Sequence, residues 1–218
     1  MKIESHIHTR YSKDSILKIQ EIKEVMKRNN IIPIITDHDT IKGALKYKEL
    51  YKECIVGEEI TTTEGEIIGL FLKEKIKPGL SPEETAGKIR EQGGLVYIPH
   101  PFDGIRKNVL KQSNLEIIKP DIMETFNRRS MNSRGDAKTQ EYAISNKIPQ
   151  IAASDAHTRF DLAKTFNILP TFTKKDLDSP RKFLQALKSA QQVTSKRTPF
   201  YIHIYGRIIL ILKKLEIL

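Results

Sequence analysis

Apolar positions change period repeatedly along the chain, and each change marks the edge of an element. The opening stretch, Lys2-Ile3-Glu4-Ser5-His6-Ile7-His8-Thr9, alternates polar and apolar residues as a strand does. Ile16, Ile19, Ile22 and Met26 then fall at helical spacing as far as Asn29-Asn30. The continuous apolar run Ile31-Ile32-Pro33-Ile34-Ile35-Thr36 has the character of a buried parallel strand. A helix over 41–53, a strand at Cys54-Ile55-Val56 and a strand over 66–72 follow. Ser81-Pro82-Glu83-Glu84 predicts a helix start, with Ser81 as N-cap, Pro82 at the first helical position and Glu84 closing a capping box. Strands over 95–99, 121–126 and 149–153, with a helix over 136–146, complete the pattern.

Strand, polar tip and helix recur with little between them. That is the grammar of a parallel α/β barrel or a doubly wound sheet, whose chemistry sits at the carboxyl ends of the strands. The tips here are chemically loaded: Asp37-His38-Asp39, Gly57-Glu58-Glu59, His100-Pro101-Phe102-Asp103, Asn127-Arg128-Arg129 and Ser154-Asp155-Ala156-His157. On a regular strand His6 and His8 share one face, roughly 6.5–7 Å apart. Such a pair either shares a metal ion or is merely two half-exposed strand residues. One barrel mouth would gather every tip.

At 218 residues and 39% hydrophobic, the chain can bury a core in one domain, or in two small ones. No apolar stretch has bilayer length, and the N-terminus lacks the apolar segment of a signal peptide. Cys54 is the single cysteine, so no internal disulfide forms and a reducing, cytoplasmic setting is expected. The formal charge of +10, from 37 Lys+Arg against 27 Asp+Glu, favours anionic partners such as phosphates, nucleotides or nucleic acid. The lysines are scattered over the predicted helices, so much of this excess reads as solvated surface. After Tyr201-Ile202-His203-Ile204-Tyr205-Gly206-Arg207, the residues Ile208, Ile211, Leu212, Leu215 and Leu218 fall at helical spacing. With Arg207, Lys213, Lys214 and Glu216 among them, this tail is too short and too charged to span a membrane. Packing on the barrel is the expected role, a dimer contact or a membrane-surface helix the alternative, and His203 reads as structural.

Five of the six histidines, His6, His8, His38, His100 and His157, fall at strand ends. With Asp14, Glu59 and Asp155 they form a nitrogen and oxygen ligand set suited to Zn, Mn or Fe. That is too many donors for one tetrahedral ion, and Glu59 is placed to bridge two. Arg106, Arg128 and Arg129 lie just past strand ends, where a guanidinium fork would take a phosphate or else be ordinary surface charge. Arg159 is a further candidate. Glu124 reads as a late ligand or as a partner for an arginine.

Ser5-His6-Ile7-His8-Thr9 with Asp14, Thr36-Asp37-His38-Asp39, Gly57-Glu58-Glu59-Ile60, Ile98-Pro99-His100-Pro101 and Ser154-Asp155-Ala156-His157 resemble, in order, the motifs of the PHP (polymerase and histidinol phosphatase) superfamily. The resemblance runs to about residue 173. It implies a distorted (β/α)7 barrel over 1–198, a C-terminal helical tail over 199–218 packed on it, and two or three divalent ions at the mouth. By the same resemblance His6, His8, Glu59 and Asp155 would hold one ion. Asp14, His38 and His157 would hold a second, and Glu59 with His100 would contribute to a third. Asp37 would orient a ligand. Many relatives carry a further histidine in the strand after the glutamate, where Gly65-Glu66-Ile67-Ile68-Gly69-Leu70 has none. Glu66 could substitute, but a strand glutamate more often faces solvent, which would leave the third ion short of a ligand.

The implied activity is phosphoesterase chemistry on a small phosphorylated metabolite or nucleotide. Asp155 and His157 would then handle protons, while Arg106, Arg128 and Arg129 bind phosphate. A phosphodiesterase or exonuclease on short nucleic acid, using Phe102, Phe126 and Phe160 as stacking surfaces, is the alternative enzyme. A non-catalytic metal-binding regulatory module is the alternative outside enzymes.

Overall fold

All seven expected strands are present, and they close into a ring. The computed structural model describes residues 1–106, 108–131 and 133–215. Strands β1 (Lys2–Ile7), β2 (Ile31–Ile35), β3 (Ile55–Thr62), β4 (Gly65–Leu70), β5 (Leu95–Ile98), β6 (Ile122–Asn127) and β7 (Gln150–Ala156) pair in that order. Because β1 pairs with both β2 and β7, the sheet shuts into a distorted barrel. Every neighbour is parallel except around β4, which runs antiparallel to β3 and to β5. Two short strands, β8 (Phe166–Ile168) and β9 (Gln191–Val193), extend the sheet from β1 outside the ring. Helices α1 (Ile19–Asn29), α2 (Lys42–Tyr51), α3 (Pro82–Glu91), α4 (Gln112–Ile118), α5 (Ser133–Ser145), α6 (Pro180–Leu187) and α7 (Phe200–Lys214) complete the fold.

The apolar residues sort into two layers. Ile22, Met26, Tyr47, Ile89, Leu115 and Ala143, from α1 to α5, pack on outward strand residues such as Ile35, Val56 and Met123. Inside the ring, Ile3, Ile55, Ile122 and Ile151, near the amino ends of their strands, cluster with Ile34, and Phe183, Ala186 and Leu187 of α6 belong to the same cluster. Helix α6 therefore plugs the amino end of the barrel. Each such side chain contributes about 1.5–3 kcal/mol on full burial. The carboxyl end, filled with acids and histidines, forgoes that contribution.

Two local departures from a regular parallel barrel decide where the polar residues point. Ile3 pairs with Ile32 but Ile7 pairs with Ile35, so β1 carries one more residue than β2 over that stretch. The extra residue is accommodated at His6, whose φ is +64°. Across this bulge Ile3 joins the inner core while Ile7 joins the outer one. The expectation of a regular strand is thus corrected: the bulge is what turns His6 and His8 inward.

The second departure is a hairpin. The strand expected at residues 54–56 runs on to Thr62, then reverses through Thr63-Glu64 into β4. Gly65 takes φ +119°, and a Cβ there would lie 2.7 Å from the Leu110 nitrogen, so only glycine fits. Because β4 is reversed, its first residues lie at the mouth, and Glu66 is among them.

Helix α3 starts as its sequence predicts. The Glu84 nitrogen donates to Ser81 Oγ (3.1 Å), and Glu84 accepts from the Ser81 nitrogen (2.9 Å). Helix α6 carries the related signature Ser179-Pro180, which the sequence reading passed over. Helix α7 begins at Phe200, earlier than the apolar spacing suggests, while Glu216 and Leu218 of the expected tail lie outside the described residues.

Gly87 on α3 has open space where a Cβ would go, whereas at Gly94 a Cβ would lie 2.6 Å from the Leu70 carbonyl oxygen. Gly87→Ala should therefore raise unfolding free energy by about 0.5–1 kcal/mol, a helix-interior gain. Gly94→Ala should lower it. Chemical denaturation of both variants checks this assignment, and equal midpoints would contradict it.

Candidate metal centre

Each strand tip delivers its residues to one buried cluster. From β1 and the turn beyond it come His6, His8 and Asp14; from the end of β2, His38; from β3, Glu59. Glu59 is the hub. Its carboxylate lies 3.0 Å from His6 Nε2, 3.3 Å from His8 Nε2, 3.4 Å from His38 Nδ1 and 3.3 Å from His100 Nε2. Asp155, at the end of β7, lies 3.7 Å from His6 Nε2 and 3.5 Å from His8 Nε2. Asp14 meets His157 Nε2 at 2.9 Å and His38 Nε2 at 3.2 Å, and Ser12 Oγ donates to it at 2.7 Å.

Donor atoms converge in four overlapping groups: His8, Asp14, His38 and His157; His6, His8 and Asp155; His6, Glu59 and His100; and His38, Glu59 and Glu66. All eight ligands drawn from the resemblance are brought together. Glu66 joins them, so the expectation that it faces solvent is corrected. It is 7% exposed and lies within 3.8 Å of His38 Nδ1 and 3.9 Å of His100 Nε2.

The donor set fits divalent metal ions. Both His8 ring nitrogens, His38 Nδ1 and His100 Nδ1 are buried without a hydrogen-bond partner among the described residues. A buried polar atom left so costs about 1–3 kcal/mol, which coordination would remove. The charges agree. Burial raises the Glu59 pKa, yet the His6 and His38 charges and bonds from His100 and His6 hold it well below the usual carboxylate range. Asp155 is held low against burial by Arg106 and His6, and Asp14 against burial by His157. His38 is lifted to about 10, Glu59 and Asp14 overcoming its burial. Glu59, Asp155 and Asp14 are thus ionised and ready as ligands, while His38 holds a proton that a metal would displace.

A second ring of residues fixes the first. Glu124, expected as a ligand or an arginine partner, is neither. It accepts from His6 Nδ1 (2.9 Å), the His100 nitrogen (3.0 Å), Asn127 Nδ2 (2.6 Å) and the Tyr97 hydroxyl. That leaves His6 Nε2 to face the cluster. Asp37 does not touch a ligand ring either. It accepts from the Thr9 nitrogen (2.5 Å) and Thr9 Oγ1 (2.7 Å), clamping the turn after His8.

The arginines divide. Arg106 donates to Asp155 Oδ2 (2.6 Å) and lines the mouth. Arg129 lines it too, with one nitrogen 3.2 Å from Asp161. Arg128 is spent elsewhere, on Asp161, Thr198 and Ser195. Arg159 pairs with Glu24 at 3.1 Å. His203 and Arg207 of α7, given no functional role by the sequence reading, line the same mouth. Glu66 was legible in principle from the short Thr63-Glu64-Gly65 turn, which marks a hairpin. No sequence signal places α7 over the mouth.

No family model matches the chain. It is 34% identical over 195 residues to uncharacterized protein MJ0417 of Methanocaldococcus jannaschii, covering 86% of this chain and 79% of that protein. Among solved structures, it is similar to a chain of Bifidobacterium adolescentis described as a candidate metal-dependent phosphoesterase. The TM-score is 0.61 at 15% identity, over 72% of this chain and 88% of that one. A two-domain protein of Bacteroides vulgatus, described as containing a predicted PHP-like metal-dependent phosphoesterase, gives a TM-score of 0.69 at 15% identity, over 89% of this chain and 64% of that one. At such identity these structures speak for the fold.

Gly43, at the start of α2, faces the Asp37–Thr9 clamp. A Cβ there would lie 2.0 Å from Asp37 Oδ2 and 2.3 Å from Thr9 Oγ1. Gly43→Ala should push the clamp apart, lowering stability by about 1–3 kcal/mol. Metal affinity should weaken by about tenfold or more, as when a ligand loses its support. Thermal unfolding and calorimetric Mn titration check both effects, and unchanged values would separate the clamp from the metal centre.

Proposed function

The chain belongs to one family with uncharacterized protein MJ0417 and shares its fold with solved structures described as metal-dependent phosphoesterases; on that premise we propose that it is a PHP-superfamily metal-dependent phosphoesterase acting on a small phosphorylated metabolite or nucleotide. The observation that carries the reading is the set of four overlapping donor groups, two of them sharing Glu59, with the His8 nitrogens left for a metal. His6, His8, Glu59 and Asp155 would hold one ion, and Asp14, His38 and His157 a second. Glu66 joins Glu59 and His100 at a third, in place of the absent histidine. Ions so held supply Lewis acidity toward phosphoryl oxygens and make water acidic enough to attack near neutral pH.

The protein's own groups do the rest. Arg106 and Arg129 flank the cluster and present guanidinium forks to an entering phosphate. The Arg106 contact with Asp155 holds that fork over the donors before substrate arrives. His157, its Nδ1 donating to the Asp155 carbonyl oxygen at 2.9 Å, keeps Nε2 toward Asp14. Two of the three candidate stacking aromatics are engaged elsewhere, Phe102 on Tyr142 and under Lys138 and Phe126 under Arg197, while Phe160 is exposed. A small substrate is therefore favoured over an oligonucleotide. A lone, fully buried thiol at Cys54 supports a reducing, cytoplasmic setting.

Elemental analysis of protein purified without chelator should find well over one equivalent of Mn, Fe or Zn. A content near zero, unchanged on adding these metals, would sink the reading. Phosphate release from an aryl phosphate, abolished in His8→Ala and in Asp155→Ala, separates an enzyme from a regulatory module. Near-normal rates in either variant would contradict the ligand assignment.

Arg106→Ala should lower kcat/KM by about 2–4 kcal/mol of transition-state stabilisation. Arg106→Lys should recover part of the loss, since charge returns without the fork. Steady-state kinetics decides, and unchanged kcat/KM in Arg106→Ala removes Arg106 from the site.

A further inference from the structure

Helix α7 does more than cover the barrel. Spaced three and four residues apart, Phe200, His203, Ile204 and Arg207 lie on one side of it and line a cavity of about 320 Å³, with Leu210 continuing the stripe. The opposite wall holds Asp14 and His157 of the metal centre, with Arg129 and Met131 between. The cavity is bipartite. Asp14, Arg129, His157, His203 and Arg207 make up its charged and polar lining, and Met131, Phe200, Ile204 and Leu210 its apolar lining.

Two groups on α7 have no work to do within the chain. His203 Nε2 is buried and finds no hydrogen-bond partner. Arg207 forms no hydrogen bond or ion pair among the described residues. A leucine and a solvated lysine would serve packing as well, so a bound anion is the economical account of both. Arg129 approaches the helix at Gly206, its guanidinium 3.8 Å from where a Cβ would stand. Three donors, the guanidinium groups of Arg129 and Arg207 and the imidazole of His203, thus line one space beside the metal ligands.

We infer that α7 is the substrate-recognition wall of the proposed phosphoesterase, selecting phosphate esters with a compact apolar leaving group. His203 and Arg207, with Arg129, take the outer oxygens of the phosphate. The slot between Met131, Phe200, Ile204 and Leu210 takes the leaving group. For scale, a cavity of roughly 150 Å³ suffices to hold a benzene ring. The inference rests on the phosphoesterase reading, and the experiment keeps the two apart.

The test is calorimetric binding of phenylphosphonate and methylphosphonate to the full Mn-loaded chain, alongside turnover of phenyl phosphate and methyl phosphate. Phenylphosphonate should bind about tenfold tighter or more, as apolar area enters the slot. His203→Gln and Arg207→Gln should each weaken both ligands severalfold, while Ile204→Asp should erase only the advantage of the ring. Tyr201, 67% exposed, lies outside the slot lining, so Tyr201→Ser should change nothing. Equal binding of the two phosphonates, no binding of either, or a Tyr201→Ser effect as large as that of His203→Gln overturns the inference. Ester hydrolysis that is indifferent to the α7 variants overturns it while sparing the phosphoesterase reading. Binding that depends on α7, with no ester hydrolysed, does the reverse.

Discussion

The buried carboxylate of Glu59 is the constraint around which the mouth of the barrel is built. Glu59 is 1% exposed, and an isolated ionised carboxylate at such a depth carries a desolvation cost that no apolar packing offsets. Four imidazoles approach it within 3.4 Å, two from the inward face of β1 and the others from the ends of β2 and β5. They compensate the charge only if the strands are held in register. Hence the plug at the other end matters: α6 and the inner isoleucines fix the ring where burial is purely apolar, so the opposite end is free to be polar. Stability and chemistry occupy opposite ends of one barrel, as the parallel topology allows.

Bringing those imidazoles together strains the backbone. His6, Asp39, His100, Phe102 and Asp155 all adopt positive φ without being glycine, and all sit at the strand tips around Glu59. Each such residue costs of order 1–3 kcal/mol. The hydrogen bonds around them hold the strain in place: Glu124 ties His6 to His100, Asp39 accepts from the Thr61 nitrogen at 2.8 Å, and Arg106 grips Asp155. The cluster is preorganised by its surroundings rather than assembled by whatever it binds.

Much of this was legible in the chain, and the failures are instructive. The seven strands could be read because buried parallel strands are written as unbroken apolar runs, and the ligands because they follow those runs directly. Reversal of β4 was not seen, since a strand read alone has no direction. Its cost was Glu66, taken as a solvent-facing residue although the turn at Thr63-Glu64-Gly65 delivers it to the mouth. The bulge at His6 was equally hidden: alternation put His6 and His8 on one face, but only the pairing of Ile3 with Ile32 and Ile7 with Ile35 shows which face. Arg128 and Arg129 are adjacent in sequence and alike in charge. One is consumed by Asp161, Thr198 and Ser195 while the other reaches the mouth, a distinction set wholly by tertiary contacts.

The division of nitrogens limits what the cluster can bind. A neutral imidazole offers one lone pair, and what its other nitrogen meets decides where that lone pair points. His6 uses Nδ1 on Glu124, which leaves Nε2 for the space shared by Glu59 and Asp155. His38 presents Nε2 to Asp14 and Nδ1 to Glu59 and Glu66, so a single neutral His38 serves one of those groups and not both. Placed with Asp14 and His157, it leaves the space beside Glu66 with His100 and two carboxylates. That space is then richer in oxygen donors than its neighbours, next to the cavity that Arg106 and Asn108 line.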